Sequence, residues 1–135
     1  MAAAVFLCTG AQAQEASPQV SAKSAILIDV SSGRVLYEKN ADEKSLIAST
    51  TKIMTGLLVC EDGNLDRETS VAPEAAGVEG SSLYLKAGER ITIRELLYGM
   101  MLRSGNDAAV ALAVESGGSV DAFVQRMNEK AQALC

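Results

Sequence analysis

Two short apolar runs flank a polar turn early in the chain. Residues 25–30 form the first run, residues 31–33 (Ser-Ser-Gly) form the turn, and residues 35–37 form the second run. Short apolar runs on either side of a Ser- and Gly-containing turn are typical of paired strands. The pattern predicts a β-hairpin over residues 25–38, with a buried first strand, at the edge of a sheet.

Later segments repeat apolar residues every three or four positions, as amphipathic helices do. We predict a helix from Ser49 to Glu61, followed by Gly63 as a stop signal. A second helix begins with Thr92 and Glu95, which have the form of a capping box, and continues to residue 103.

Two further helices follow near the end of the chain. One covers residues 108–115 and closes at Gly117 and Gly118, and Ser119 then caps the last helix. Its core-facing stripe is predicted to consist of Phe123, Val124, Met127, Ala131 and Leu134. Short strands are predicted at residues 69–71 and 82–85.

The composition indicates one folded domain. Of the 135 residues, 48% are hydrophobic and 21% are charged, which is ordinary for a globular protein. The net charge is −5, and the twelve Lys and Arg residues are scattered rather than clustered. We therefore expect no nucleic-acid partner.

The first thirteen residues have features of an export signal. Residues 1–8 are apolar, and Ala11-Gln12-Ala13 has the small-x-small form of a signal-peptidase site, although no Lys or Arg precedes Lys23. The apolar stretch is too short to span a bilayer. We expect residues 1–13 to be a signal peptide, residues 14–23 a linker, and the protein to be exported.

The three cysteines do not suggest a disulfide framework. Cys60 falls on the apolar first helix, where a free thiol usually behaves as a small hydrophobic group. We expect Cys60 to be buried.

Candidate chemistry begins with Ser49 and Lys52 in a chain that contains no histidine. A serine hydroxyl needs a base to become a nucleophile, and residues three apart share one helix face. Burial and the positive helix end both disfavour a charged lysine, so a neutral Lys52 could accept the Ser49 proton. The structural alternative is that Ser49 is only a helix cap and Lys52 a solvated residue.

A second candidate is Ser104-Gly105-Asn106, which interrupts two apolar helices. Its hydroxyl and carboxamide could reach a cleft, because Gly105 allows close approach. The alternative is again structural, since Ser-Gly-Asn both ends and starts helices well.

Longer stretches resemble a known family over residues 24–134. They are Ala48-Ser49-Thr50-Thr51-Lys52-Ile53-Met54-Thr55, Glu79-Gly80-Ser81-Ser82, Leu96-Leu97-Tyr98-Gly99-Met100-Met101 and Ser104-Gly105-Asn106-Asp107-Ala108-Ala109. They are similar to the serine D-alanyl-D-alanine carboxypeptidases of peptidase family S11, the low-molecular-mass penicillin-binding proteins. The resemblance implies an α+β, β-lactamase/transpeptidase-like (DD-peptidase) fold, in which an antiparallel sheet accompanies a helical subdomain.

The resemblance also implies roles for individual residues. Ser49 would be the acylated nucleophile, Lys52 the general base and Ser104 the proton relay to the leaving amine. Asn106 would bind the substrate's peptide or hold Lys52. The implied partners are peptidoglycan pentapeptides ending in D-Ala-D-Ala, and β-lactams as inhibitors, with no metal or organic cofactor. The implied location is the periplasm or the outer face of the bacterial cytoplasmic membrane, and members often attach to it through a C-terminal region.

One family element is missing from the sequence. The Lys-Thr-Gly or Lys-Ser-Gly strand that grips the substrate carboxylate does not occur, and Lys86-Ala87-Gly88 and Lys44-Ser45-Leu46 do not match it. We therefore expect residues 24–135 to be the N-terminal part of a longer catalytic domain, without the C-terminal part of its sheet. We expect these residues to be inactive and poorly stable alone.

Two other functions remain open on the sequence. A class A β-lactamase shares Ser-x-x-Lys but typically has Ser-Asp-Asn in the second motif, so Gly105 argues against it. The other is a non-catalytic module that senses penicillin or binds peptidoglycan on the same scaffold.

Overall fold

The computed structural model describes residues 18–134, which divide into two compact units between Ser45 and Leu46. The predicted signal peptide lies outside the described residues, as does the first part of the predicted linker. The first unit contains a hairpin, and the second contains the remaining strands and the helices of the described chain.

The first unit confirms the predicted hairpin. Strand β1 (Ala25–Ile28) pairs antiparallel with β2 (Val35–Lys39), and Leu27 lies opposite Tyr37. The Asp29 carboxylate accepts hydrogen bonds from the backbone N–H groups of Ser31 (2.9 Å) and Ser32 (3.0 Å), which shapes the turn.

The predicted burial of the first strand is wrong for this hairpin. Ile26 and Leu27 remain 53% and 54% exposed, and Ile28 is also exposed. A two-stranded ribbon cannot bury its own side chains, because each face needs a further layer to pack against.

The second unit contains a small antiparallel pair of strands. Strand β3 (Glu68–Ser70) pairs with β4 (Arg90–Thr92), with Thr69 opposite Ile91. The strand near residue 69 is therefore confirmed, within one residue. The strand predicted at residues 82–85 is wrong, because this segment is an irregular loop whose backbone N–H groups bind the Asp107 carboxylate.

Four α-helices lie in the described part of the second unit. Their bounds are α1 (Thr51–Asp62), α2 (Ile93–Arg103), α3 (Asn106–Gly117) and α4 (Val120–Leu134). The capping box of α2 is confirmed, since the Thr92 hydroxyl accepts from the Glu95 N–H and the Glu95 carboxylate accepts from the Thr92 N–H. The Ser119 hydroxyl accepts from the Ala122 N–H at 3.1 Å and caps α4 as predicted.

The core of this unit forms around α3. Ala108 and Leu112 of α3 are buried together with Leu96 and Met100 of α2 and Phe123 of α4. Burial of such side chains is the main favourable contribution to folding. The ion pairs Asp62–Arg126 and Glu61–Lys130, each 2.6 Å long, join α1 to α4 at the edge of this core.

Burial differs from the sequence prediction on two helices, α1 and α4. Cys60 is exposed on α1, so its predicted burial is wrong although the helix around it is apolar. On α4, Phe123 is buried and Met127 packs against the core, but Val124 and Leu134 are exposed. The buried face of α4 is therefore narrower than the apolar stripe.

Membrane-spanning character is also absent from the described helices. None of those between residues 18 and 134 has both the length and the apolar content needed to cross a bilayer.

Candidate active site

Ser49 lies in a single 3₁₀ turn, Ala48–Thr50, directly before α1. The turn is closed by the Ile47 carbonyl, which accepts hydrogen bonds from the backbone N–H and the hydroxyl of Thr50. Ser49 itself is exposed. Its hydroxyl is thus presented beside a helix N-terminus, where backbone N–H groups have no intrahelical acceptors.

Lys52 is half-buried and has three acceptors for its amine. The Nζ atom lies 2.7 Å from the carbonyl oxygen of Ser104 and 3.1 Å from the Ser104 hydroxyl. It also lies 2.6 Å from the side-chain oxygen of Asn106. These contacts join α1 to the connection between α2 and α3.

Ser104 links the nucleophile candidate to the lysine. Its hydroxyl donates to the Ser49 hydroxyl at 2.8 Å and accepts from the Lys52 amine at 3.1 Å. The link from Ser49 to Lys52 in this structure therefore runs through Ser104. Ser104 ends α2 in the left-handed conformation (φ 55°), which is uncommon for a residue with a side chain and often found at functional sites.

Asn106 is the first residue of α3, and both the oxygen and the nitrogen of its side-chain amide form hydrogen bonds. The side-chain oxygen accepts from Lys52, and the side-chain nitrogen donates to the Glu79 carbonyl at 2.8 Å. The backbone N–H of Asn106 donates to the Ser81 carbonyl at 2.7 Å. A Cβ atom at Gly80 would lie 2.6 Å from the Asn106 side-chain nitrogen, so glycine is needed for this approach. In this arrangement Asn106 holds Lys52.

The four predicted site residues are therefore brought together, but the sequence interpretation missed Asp107. This carboxylate is fully buried and accepts from the Ser82 hydroxyl and the backbone N–H groups of Leu83 and Leu85. A charged residue at the start of an Ala-rich buried helix was the available signal, since buried charges need partners.

Hydrogen bonding decides the ionisation of Asp107. Burial acts to raise the pKa of its carboxyl group, but the hydrogen bonds from Ser82, Leu83, Leu85 and Ala108 outweigh burial and lower the pKa below its ordinary value. Asp107 is therefore a carboxylate at neutral pH.

A cavity of about 550 Å³ lies apart from this cluster, between α1 and α2. It is lined mainly by apolar side chains, including Leu57, Leu97 and Met101, and none of the four site residues lines it. The candidate site is therefore defined by its polar contacts and not by this cavity.

Comparison with known proteins identifies the family. A family model described as D-alanyl-D-alanine carboxypeptidase (peptidase S11) matches residues 11–135. The chain belongs to this family.

Individual carboxypeptidases of this kind are similar to the chain at high identity. D-alanyl-D-alanine carboxypeptidase DacF of Bacillus subtilis is 45% identical over 118 residues, which are 84% of this chain and 30% of the relative. DacA of Escherichia coli K12 is 42% identical over 128 residues, 87% of this chain and 32% of the relative. The chain thus spans about a third of the length of these relatives.

A solved structure supports the same assignment at the level of fold. The D-alanyl-D-alanine carboxypeptidase DacD from Francisella tularensis matches with a TM-score of 0.82 and 36% identity, covering 87% of this chain and 30% of that one. The predicted α+β fold of the DD-peptidase type is thereby confirmed.

Proposed function

We propose that the complete protein is a serine-type D-Ala-D-Ala carboxypeptidase that removes the terminal D-alanine from peptidoglycan stem peptides. In this proposal Ser49 forms the acyl-enzyme, Lys52 is the proton acceptor and Ser104 carries the proton between them. The observation that carries it is the position of the Ser104 hydroxyl, 2.8 Å from the Ser49 hydroxyl and 3.1 Å from the Lys52 amine. Family membership supports the substrate class.

Acylation begins with proton transfer along this chain of contacts. An uncharged Lys52 amine takes the Ser104 proton, while Ser104 takes the proton of Ser49. The hydroxyl hydrogens can rotate to this direction, because each hydroxyl both donates and accepts. The Ser49 oxygen then bonds to the carbonyl carbon of the penultimate D-alanine.

The same groups return the proton when the peptide bond breaks. The carbon–nitrogen bond to the terminal D-alanine cleaves, and the leaving nitrogen takes the proton from Lys52 through Ser104. Water then attacks the ester carbon, gives a proton to Lys52, and the Ser49 oxygen leaves with that proton. This step releases the shortened peptide and regenerates the Ser49 hydroxyl.

The start of α1 can stabilise the oxyanion formed in both attacks. The backbone N–H of Ser49 is close to the attacking oxygen, and the helix end carries partial positive charge. Asn106 holds the Lys52 amine at 2.6 Å and so keeps the base near Ser104.

We also propose that the protein is exported and that β-lactams inhibit it. The substrate lies in the cell wall, so the activity requires export, and we propose residues 1–13 as its signal. A β-lactam would acylate Ser49 by opening its ring, and slow hydrolysis of that ester would make it an inhibitor.

The test uses the complete protein with two reagents. With a peptide ending in D-Ala-D-Ala we expect release of one equivalent of D-alanine per peptide, and with penicillin we expect a persistent covalent adduct. Rapid and repeated hydrolysis of penicillin would instead indicate a β-lactamase. Binding of the peptide without D-alanine release would indicate a non-catalytic module, and either result would overturn the proposal.

A further inference from the structure

Asp107 is a buried charge whose partners all come from one short loop and its own helix start. Its side chain is 0% exposed. Its Oδ2 atom accepts from the Ser82 hydroxyl (2.7 Å) and the Leu85 N–H (3.1 Å). The Leu83 N–H donates to both carboxylate oxygens, each at 3.0 Å. Buried carboxylates that are hydrogen-bonded in this way hold their donors firmly, because each donor would otherwise be left unpaired.

The preceding residue, Asn106, binds the same loop as a hydrogen-bond donor, whereas Asp107 binds it as an acceptor. Asn106 donates through its side chain to the Glu79 carbonyl (2.8 Å) and through its backbone to the Ser81 carbonyl (2.7 Å). Two consecutive residues of α3 thus fix residues 79–85, one by donating to carbonyl groups and the other by accepting from N–H groups.

The shape of this loop is not one it would keep without support. Tyr84 has a left-handed backbone conformation (φ 62°), and it lies between the two N–H groups that bind Asp107. Its own N–H donates to the Ser82 hydroxyl, which in turn donates to Asp107. A strained conformation of this kind persists only where surrounding contacts enforce it.

The loop in turn determines how Asn106 faces Lys52. A carboxamide can present either its oxygen or its nitrogen, and the Glu79 carbonyl accepts from the nitrogen, which leaves the oxygen for the Lys52 amine at 2.6 Å. If the loop shifted, the Asn106 amide would lose this orientation, and Lys52 would lose one of its acceptors.

We propose that Asp107 is a positioning residue, which holds residues 79–85 so that Asn106 keeps Lys52 in place for acylation of Ser49. This inference depends on the acyl-enzyme function proposed above. It predicts that a change at Asp107 slows the chemical step even in molecules that remain folded.

The test measures acylation of the complete protein by a fluorescent penicillin. The final amount of label gives the fraction of competent molecules, and the rate at saturating penicillin gives the chemical step. In Asp107→Asn one carboxylate oxygen becomes an NH₂ group, which cannot accept from the loop N–H groups. We expect labelling to approach completion, with a rate about 10- to 100-fold lower than wild type, since small misplacements of catalytic groups have effects of this size.

Glu115→Gln is the matched control. Glu115 is a carboxylate on the same helix, and it accepts from Arg67 and Thr69 near the other end of α3. Its replacement should lower stability but leave the acylation rate unchanged. A purely structural Asp107 would behave like this control, and a wild-type rate in Asp107→Asn would overturn the inference.

A milder variant keeps the test decisive if Asp107→Asn does not fold. Ser82→Ala removes one donor to Asp107 and the acceptor of the Tyr84 N–H. We expect a rate reduced by about threefold or more, and an unchanged rate would count against the inference. Failure of the proposed function itself is distinguishable, because it would appear in the wild-type protein as no release of D-alanine from a D-Ala-D-Ala peptide, whereas failure of this inference leaves that release intact and gives variants that acylate at the wild-type rate.

Discussion

The side-chain oxygens of Ser49 and Ser104 lie 2.8 Å apart, although 55 positions separate the two residues in the sequence. The contact joins the start of α1 to the end of α2, and Lys52 completes it by donating to Ser104 at 3.1 Å. In the proposed mechanism the base would therefore act on the nucleophile through a second hydroxyl.

Replacing Ser104 by alanine tests this relay. Ser104→Ala removes the hydroxyl that contacts both Ser49 and Lys52, so we expect β-lactam acylation of the complete protein to slow by roughly 100-fold or more. Stopped-flow measurement of acylation provides the rate. Ser119→Ala, which removes the cap of α4, should weaken stability without changing this rate. Equal rates for Ser104→Ala and wild type would contradict the relay.

Lys52→Arg separates the charge of the side chain from its ability to accept a proton. A guanidinium group can donate to Ser104 and Asn106 but does not become neutral in proteins. We therefore expect acylation to fall by about 100-fold or more in Lys52→Arg. The control Lys130→Arg keeps the ion pair with Glu61 and should acylate normally. Normal acylation by Lys52→Arg would exclude Lys52 as the base.

Gly117 tests the packing of α3 against α4. A Cβ atom at Gly117 would lie 2.8 Å from the backbone nitrogen of Phe123 and 2.9 Å from its Cα atom. Since backbone atoms cannot rotate away, we expect Gly117→Ala to lower the free energy of unfolding by about 1–3 kcal/mol, measured by urea denaturation.

Gly56→Ala is the comparison for that experiment. Its Cβ would lie no closer than 3.7 Å to the nearest atoms, on Met100 and Met101. Its stability should stay the same or rise by up to about 1 kcal/mol, because alanine favours the helix. A loss in Gly56→Ala equal to that in Gly117→Ala would show that close packing is not the cause.

Stability should depend on pH through Glu115. Burial acts to raise the pKa of Glu115. Hydrogen bonds from Thr69 and Arg67, together with the charge of Arg67, lower it by a larger amount, so the net pKa lies below the ordinary value. A carboxyl whose pKa is lowered on folding stabilises the protein above its unfolded pKa of about 4.3 and loses that contribution as pH falls through the folded value.

The measurement compares melting temperatures of wild type and Glu115→Gln between pH 7 and pH 3. We expect wild type to melt higher at pH 7 and the difference to shrink as the pH falls below about 4.3. A difference that stays constant over this range would contradict a lowered pKa for Glu115.

Features fixed by neighbouring residues were predictable from the sequence. The capping box of Thr92 and Glu95 and the cap at Ser119 each involve residues three apart, so local pattern was sufficient. The hairpin was recognised for the same reason, since its strands are joined by one short turn. The motifs and the family resemblance together predict Ser49, Lys52, Ser104 and Asn106 as site residues.

Features fixed by distant contacts were not predictable. The segment at residues 82–85 has a strand-like composition, but Asp107, which follows it by 22 to 25 positions, binds its N–H groups and keeps it irregular. The order of contacts from Ser49 through Ser104 to Lys52 likewise depends on how α1 meets α2. Spacing along one helix could suggest only a direct contact between Ser49 and Lys52.

The position of the covalent label tests the central claim most directly. The complete protein would be treated with penicillin and digested with trypsin, which releases residues 45–52 between Lys44 and Lys52. Fragmentation must distinguish Ser49 from the other hydroxyl residues of this peptide, namely Ser45, Thr50 and Thr51. We predict one adduct, on Ser49, and none in Ser49→Ala. An adduct on any other residue, or full labelling of Ser49→Ala, would contradict Ser49 as the nucleophile.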